Sequence, residues 1–330
     1  HTGRTHQIRV HLAHIGHPLL GDPVYGPAQN ARWLAQPGQL AGLATRQMLH
    51  AFRLVLRHPE SGQVLDLRSD PPEDFLALLR ALAADCQRVV LTGLPGSGKS
   101  ALLRALAAAP EAPPAFSADA CVAELYAPGS DGAALIARSF GRDTLDAAGA
   151  VDRPRLLALL LDKPALRREL EEIIHPLVEH ALKKFWTSQA ALPLAVAEIP
   201  LFLEAGGRSG PNHLADVLVG VRCPEDRRQG VMRESRGLAP EVLAVFDSWQ
   251  WPAERKLAAC DLVVDNDGGL DALAKRARGL LDALAALRRE RTARFEARLA
   301  GLLDAVASEP VDLPEDEADV DAYDWEEDEA

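Results

Sequence analysis

Short, predominantly apolar runs alternate along most of the chain with longer stretches in which apolar residues recur every three or four positions. The runs at 89–91, 192–199, 217–221 and 262–264 have the character of strands buried on both faces. A further short strand is predicted after the proline-rich break 110–114, ending at Ser117-Ala118-Asp119. Helical periodicity fills the intervals: 101–109, 122–126, 133–140, 155–161, 166–186 and 240–249, with an amphipathic stretch from 270 to about 307. Strands that alternate with helices predict an α/β domain built on a parallel sheet covered by helices on both faces. His175-Pro176 falls inside a long helical stretch, where proline removes a backbone donor; the pattern predicts an interruption that exposes His175.

The sharpest local signal sits between the first of these strands and the helix after it. Gly93-x-x-x-x-Gly98-Lys99-Ser100, with Gly96 and Ser97 inside it, is the spacing of a phosphate-binding loop. Glycines let several N–H groups converge on one concavity, and the helix N-terminus adds its partial positive charge there. Lys99 is placed to reach the β- and γ-phosphates of a nucleotide and the Ser100 hydroxyl to ligate Mg²⁺. Asp119, at the C-terminal end of the next strand, faces the same crevice and can meet a substrate hydroxyl; its other reading is the N-cap of the adjoining helix.

Charge changes the picture in one place. The 330 residues carry 48 Asp/Glu against 36 Lys/Arg, a net charge of −12, but twelve of those acids lie in 309–330, which has no Lys or Arg. The remainder is balanced, and the tail reads as a solvated, disordered segment without a specific partner. Hydrophobic content of 48% suffices for buried cores. No apolar run approaches the ~18–20 residues that cross a bilayer, and Cys86, Cys121, Cys223 and Cys260 have no ligand-like spacing, which predicts free thiols in a soluble cytoplasmic protein.

Residues 1–80 differ in character. His6, His11 and His14 invite a metal reading, but no carboxylate or cysteine stands at ligand spacing to them. The run Thr2-Gly3-Arg4-Thr5-His6-Gln7-Ile8-Arg9-Val10-His11, Gly16-His17-Pro18, Gly21-Asp22-Pro23-Val24-Tyr25-Gly26, Leu49-His50-Ala51 and His58-Pro59 resembles the C-terminal end of the RluA-type RNA pseudouridine synthases. The resemblance implies that Arg9 pairs with a catalytic aspartate whose motif would lie upstream of His1, so residues are expected to be missing there. Without that aspartate the fragment is not expected to isomerise uridine. It is expected to be a structural remnant, with RNA contact through Arg4, Arg9 and nearby histidines as the alternative.

Residues 88–285 resemble the dephospho-coenzyme A kinases. The likeness rests on the loop, Ala118-Asp119, Pro128-Gly129-Ser130, Asp152-Arg153, Leu170-Glu171-x-Ile173-x-His175-Pro176, Ile199-Pro200-Leu201 with Glu204, Gln250-x-Pro252-x-x-x-Lys256, and Asp261-x-Val263-x-x-Asn266-x-Gly268. It implies a P-loop kinase with a helical acceptor-binding insertion at 131–188, preceded by a partial α+β pseudouridine synthase fragment. ATP and Mg²⁺ are the implied cofactors and dephospho-CoA the phosphoryl acceptor, with no membrane partner. Thr92, Gly93, Gly96, Ser97, Gly98, Lys99, Ser100, Ala101 and Asn266 would hold the nucleotide. Asp119 would be the base, with His175, Glu204 and Gln250 on the acceptor. Arg233 and Arg236 are lid candidates that stabilise transferring charge.

The sequence departs from that family at Ser117, where it usually has an aspartate, at Leu94-Pro95 and Ala101, and in the spacing of Arg233 and Arg236. Three domains are expected: 1–87, 88–285, and 286–330 as helical extension and acidic tail. Another small-molecule or nucleoside kinase, or a nucleotide-dependent RNA-binding protein, remains as an alternative.

Overall fold

The computed structural model describes residues 5–35, 42–84, 86–207, 214–236 and 240–311, with the backbone alone for 235, 236 and 240–243. Arg4, Gly237-Leu238 and the acidic tail from 312 onward lie outside the described residues. The chain divides into two compact units: His1–Leu34, Gly42–Ala83 and Arg291–Ala330 form one, and Ala84–Glu290 with Ala35–Ala41 the other.

The first unit contains α1 (Gln7–His14), α2 (Pro27–Leu34), an antiparallel hairpin of β1 (Arg53–Arg57) and β2 (Val64–Arg68), and α3 (Glu73–Ala83). Its small core gathers Ala44, Met48 and Leu78, with Leu20, Trp33 and Phe75 packed against them. The Gly-Asp-Pro-Val-Tyr-Gly segment has a physical task here. Asp22 is fully buried and accepts two bonds from Arg9, both at 2.8 Å, and two more from the backbone N–H of Val24 at 2.9 Å and Tyr25 at 3.1 Å. Arg9 and these amides hold its carboxyl far below the usual carboxylate range, despite opposition from burial. Gly21, at φ +75°, lies so close to the Arg46 carbonyl that no Cβ fits. Arg53 and Arg68 of the hairpin donate to carbonyls at the end of the last helix, Val306 O at 2.9 Å and Ala307 O at 2.7 Å, which satisfies acceptors that a helix C-terminus leaves open.

The second unit is the predicted α/β domain. Its strands are β3 (Gln87–Thr92), β4 (Ala115–Ser117), β5 (Leu194–Glu198), β6 (Val217–Arg222) and β7 (Leu262–Asp265). They form one parallel five-stranded sheet in the order β4-β5-β3-β6-β7. Around it lie α4 (Lys99–Ala107), α5 (Ala118–Leu125), α6 (Asp131–Phe140), α7 (Arg153–Asp162), α8 (Leu166–Ser188), α9 (Glu225–Arg236), α10 (Pro240–Ser248), α11 (Ala253–Ala258) and the first part of α12 (Leu270–Ser308).

The period of two along each strand sorts side chains between the faces. Val89 and Leu91 pack with Leu102 and Leu106 of α4 and with Leu273, Ala277, Leu280 and Leu284, the apolar stripe of α12. Val90, Ala195, Ala197 and Leu218 pack on the other side with Leu182 and Trp186 of α8. The helical insertion has a core of its own, centred on Ile136, Leu156, Leu160 and Ile174.

One expectation needs correction. Pro176 does not interrupt α8, which runs unbroken over 23 residues. A single missing N–H is outweighed by packing on both sides of it, through Ile174 toward the insertion core and Leu182 and Trp186 toward the sheet. Leu102, fully buried below the phosphate loop, is expected to report on this packing. Leu102→Ala should cost ~2–5 kcal/mol in chemical denaturation; a loss below ~1 kcal/mol would mean that the site collapses around the deletion.

Candidate active site

The loop between β3 and α4 is shaped by what surrounds it as much as by its own glycines. Gly96 (φ +76°) and Gly98 (φ +97°) both hold left-handed conformations. A Cβ on Gly96 would meet the Met232 side chain of α9 at 2.6 Å, and one on Gly98 would meet the Asn266 amide nitrogen at 2.1 Å. Asn266, nearly buried after β7, donates to Ser97 O at 2.9 Å and so braces the loop from behind.

Lys99 is nearly buried, and its Nζ donates to the loop's own carbonyls, Gly93 O at 3.0 Å and Leu94 O at 2.9 Å. The Ser100 hydroxyl donates to Glu198 Oε1 at 2.7 Å. Glu198 ends β5 beside β3 and is buried. The sequence pattern did not mark it as a site residue, although an acid closing an apolar run at the C-terminal edge of a parallel sheet was the available signal.

A cavity of about 750 Å³ opens in front of the loop. Gly96, Gly98, Lys99, Ser100 and Ala101 line its nucleotide side, with Glu198 beside them; Asp119, His175 and Gln250 line it further out. Asp119 lies in the first turn of α5, but it is not the cap. Ser117 takes that role, accepting from Ala120 N at 3.4 Å. The reading of Asp119 as N-cap is therefore corrected. Phe246 and Trp249 also line the cavity, edge to face with ring centroids 5.2 Å apart, and the Arg167 guanidinium sits 5.0 Å over the Trp249 ring.

Other expected site residues fall elsewhere. Thr92 is fully buried and donates its hydroxyl to Pro200 O at 3.1 Å, so it anchors the root of the loop where a phosphate contact was expected. Glu204 Oε1 accepts from Trp251 N at 2.7 Å and lies 3.1 Å from Lys256 Nζ, in a buried cluster behind the cavity wall. Arg233 is exposed and is not part of the cavity lining; Arg236 ends α9, and its side chain lies outside the described residues. The helix contributes Val231 and Met232 to the wall instead.

Arg228 was not singled out by the sequence. Its side chain, 3% exposed, donates to Glu225 at 2.7 Å, Asp247 at 2.9 Å and Pro95 O at 3.2 Å, fastening α9 and α10 to the loop. Burial opposes its charge, but the two carboxylates more than offset this and hold the guanidinium protonated. In the first unit, Arg9 is committed to Asp22 rather than standing open. No group of three potential metal-ligating His, Cys, Asp or Glu occurs among the described residues, so His6, His11 and His14 do not form one.

The family model for dephospho-CoA kinase matches residues 87–272. The chain belongs to the dephospho-CoA kinase family. The matched span takes in the whole sheet from β3 to β7. The chain is 37% identical over 183 residues to dephospho-CoA kinase of Thiobacillus denitrificans, covering 56% of this chain and 88% of that one. It is 39% identical over 197 residues to that of Anaeromyxobacter dehalogenans, covering 58% and 89%.

The N-terminal region matches a different family. Ribosomal large subunit pseudouridine synthase D of Nitrosomonas europaea is 53% identical over 83 residues, 24% of this chain and 23% of that protein. The chain thus spans less than a quarter of that relative.

For the kinase loop, the close approach of Asn266 makes Gly98→Ala a direct test. The methyl group is expected to displace Asn266 from Ser97, at ~1–3 kcal/mol, and to weaken ATP binding measured by calorimetry. Unchanged ATP affinity would show that the bracing is dispensable.

Proposed function

We propose that the chain transfers the γ-phosphoryl group of ATP to the ribose 3′-hydroxyl of dephospho-CoA, giving CoA and ADP. One observation carries the reading beyond the family: a single cavity joins the phosphate loop to Asp119, His175 and Gln250. Donor and acceptor sites therefore share one chamber, as in-line transfer requires.

Within this reading the loop amides and the α4 N-terminus hold the β- and γ-phosphates. Lys99 exchanges its bonds to Gly93 O and Leu94 O for phosphate oxygens, so the loop carbonyls keep its ammonium in place until the nucleotide arrives. Asp119 makes no hydrogen bond or ion pair among the described residues and is exposed to the cavity, so its carboxylate is available to accept or orient the 3′-hydroxyl proton. Arg233, exposed near the end of α9, is the lid cation of this reading, with Arg236 as the second candidate that the family likeness implies.

The donor set fits Mg²⁺: a hydroxyl and a carboxylate, both hard oxygen ligands, meet at Ser100 and Glu198, and the nucleotide's phosphates complete such a shell. When bound, the ion neutralises charge that develops on the phosphoryl oxygens. Ser100 and Glu198 would hold it, Glu198 directly or through Ser100.

Among the described residues no helix is long and apolar enough to cross a membrane. We place the activity in the cytoplasm, whose reducing conditions suit four free cysteines. RNA binding through Arg9 gains no support, since the Nε–Nη2 edge of its guanidinium is taken by Asp22.

The test is direct: full chain with ATP, Mg²⁺ and dephospho-CoA, monitored for CoA and ADP. Turnover is expected. Asp119→Ala should lower kcat ~10²–10⁴-fold with ATP affinity kept, and Lys99→Ala should lower both kcat and ATP affinity. Folded protein that binds ATP yet forms no CoA would refute the reading, and normal turnover by Asp119→Ala would remove Asp119 from its role.

A further inference from the structure

Behind the acceptor wall lies a buried ammonium held by two hydrogen bonds and an ion pair. Lys256 is 1% exposed; its Nζ donates to Pro200 O at 2.7 Å and Gln250 Oε1 at 2.6 Å, and lies 3.1 Å from Glu204 Oε1. Three oxygens thus surround a head group that can only donate. Each of those oxygens belongs to a segment near the chemistry. Pro200 O also receives the Thr92 hydroxyl, from the root of the phosphate loop. Glu204 Oε1 also receives Trp251 N, one residue beyond Gln250.

The consequence concerns Gln250, which lines the cavity. A carboxamide has an acceptor end and a donor end, and its orientation is set by its partners. An ammonium can only donate, so the Gln250 oxygen must be the atom that faces Lys256. The N–H₂ end is thereby turned away from it.

We propose that Lys256 is a positioning residue that locks Gln250 with its N–H₂ presented to the cavity, where it donates to a lone-pair oxygen or ring nitrogen of the nucleotide-like phosphoryl acceptor. The inference rests on the dephospho-CoA kinase reading and deepens it, since it assigns the acceptor side one oriented donor. Lys256 itself does not touch substrate. Glu204 belongs to the same device: its carboxylate offsets the cost of burying the ammonium, which burial alone pushes toward losing its proton. The shared Pro200 carbonyl fastens this device to the strand that bears the phosphate loop.

Gln250→Glu separates this idea from a merely structural role. The new carboxylate keeps the bond to Lys256 and strengthens it by charge, while the donor facing the cavity becomes an acceptor. In the full chain, the KM for dephospho-CoA should rise ~10-fold or more, with the KM for ATP and the melting temperature held or the latter raised. Lys256→Met should give a similar rise in the dephospho-CoA KM, with the ATP KM held, because the carboxamide loses its orientation. The double variant should add little to the dephospho-CoA KM of Gln250→Glu, since both act through one group.

Wild-type dephospho-CoA KM in Gln250→Glu overturns the inference. So does a Lys256→Met enzyme in which both KM values rise together. Should Lys256→Met fail to fold, Gln250→Glu decides alone. Wild-type chain that binds ATP but neither binds nor phosphorylates dephospho-CoA overturns the parent reading and this inference with it, whereas normal wild-type turnover beside an unaffected Gln250→Glu overturns this inference only.

Discussion

A phosphate loop must hold several N–H groups in a concave backbone that has few bonds of its own, so its shape has to be imposed from outside. In this chain the imposition comes from the position of β3, flanked by β5 and β6 in a parallel sheet. All five strands deliver their C-terminal ends to one edge, and the loop is therefore enclosed by the segments that leave the strands there. Glu198 and Pro200 come from β5, Met232 and Arg228 from the helix after β6, and Asn266 from the turn after β7. The acceptor side is reached from the same edge, by α5 after β4. Removing β3 from the middle would leave these groups with nothing common to converge on.

Much of this architecture is legible in the sequence because burial on both faces writes a simple signal. The apolar runs located the strands of the sheet, and the glycine spacing located the loop. What the sequence does not disclose is partnership over distance. Thr92 reads as a phosphate ligand by its place at a strand end, but its hydroxyl donates to a carbonyl 108 residues away. The family likeness implies Glu204 as an acceptor contact, yet its oxygen serves Lys256 and Trp251 N. Pro176 reads as a helix breaker because local rules count one lost bond and cannot count the packing of Ile174, Leu182 and Trp186. Arg228 has no local signature at all, since its two carboxylates and one carbonyl lie on three different segments.

The N-terminal unit shows the same limit in another form. The recurrent words Gly-Asp-Pro-Val-Tyr-Gly and Arg9 are legible as a family likeness, but their local reason is not. Asp22 is a turn-forming acid that satisfies two backbone amides and then a partly buried guanidinium. Such a pair contributes most through the penalty for breaking it, because either partner alone would be left uncompensated. Its stabilisation is present in full above the ordinary carboxylate range and is lost progressively as pH falls below that range toward the depressed native value. Likewise, Arg53 and Arg68 meet the end of α12 across more than 200 residues. No periodicity marks a hairpin arginine as a helix cap.

The substitution of Ser117 for an acid on the acceptor side fits this view of shared duties. The first turn of α5 needs a group to cap its amides, and Ser117 supplies it through Ala120 N. Asp119 is thereby released from structural work and stands exposed at the cavity. Transfer of a phosphoryl group through a loose transition state asks little proton abstraction before bond cleavage, so one well-placed carboxylate can suffice. A second acid nearby would add repulsion toward the nucleotide's phosphates. Placement then becomes the limiting requirement, and on the phosphate side the helix N-terminus and the loop braced by Asn266 contribute to it.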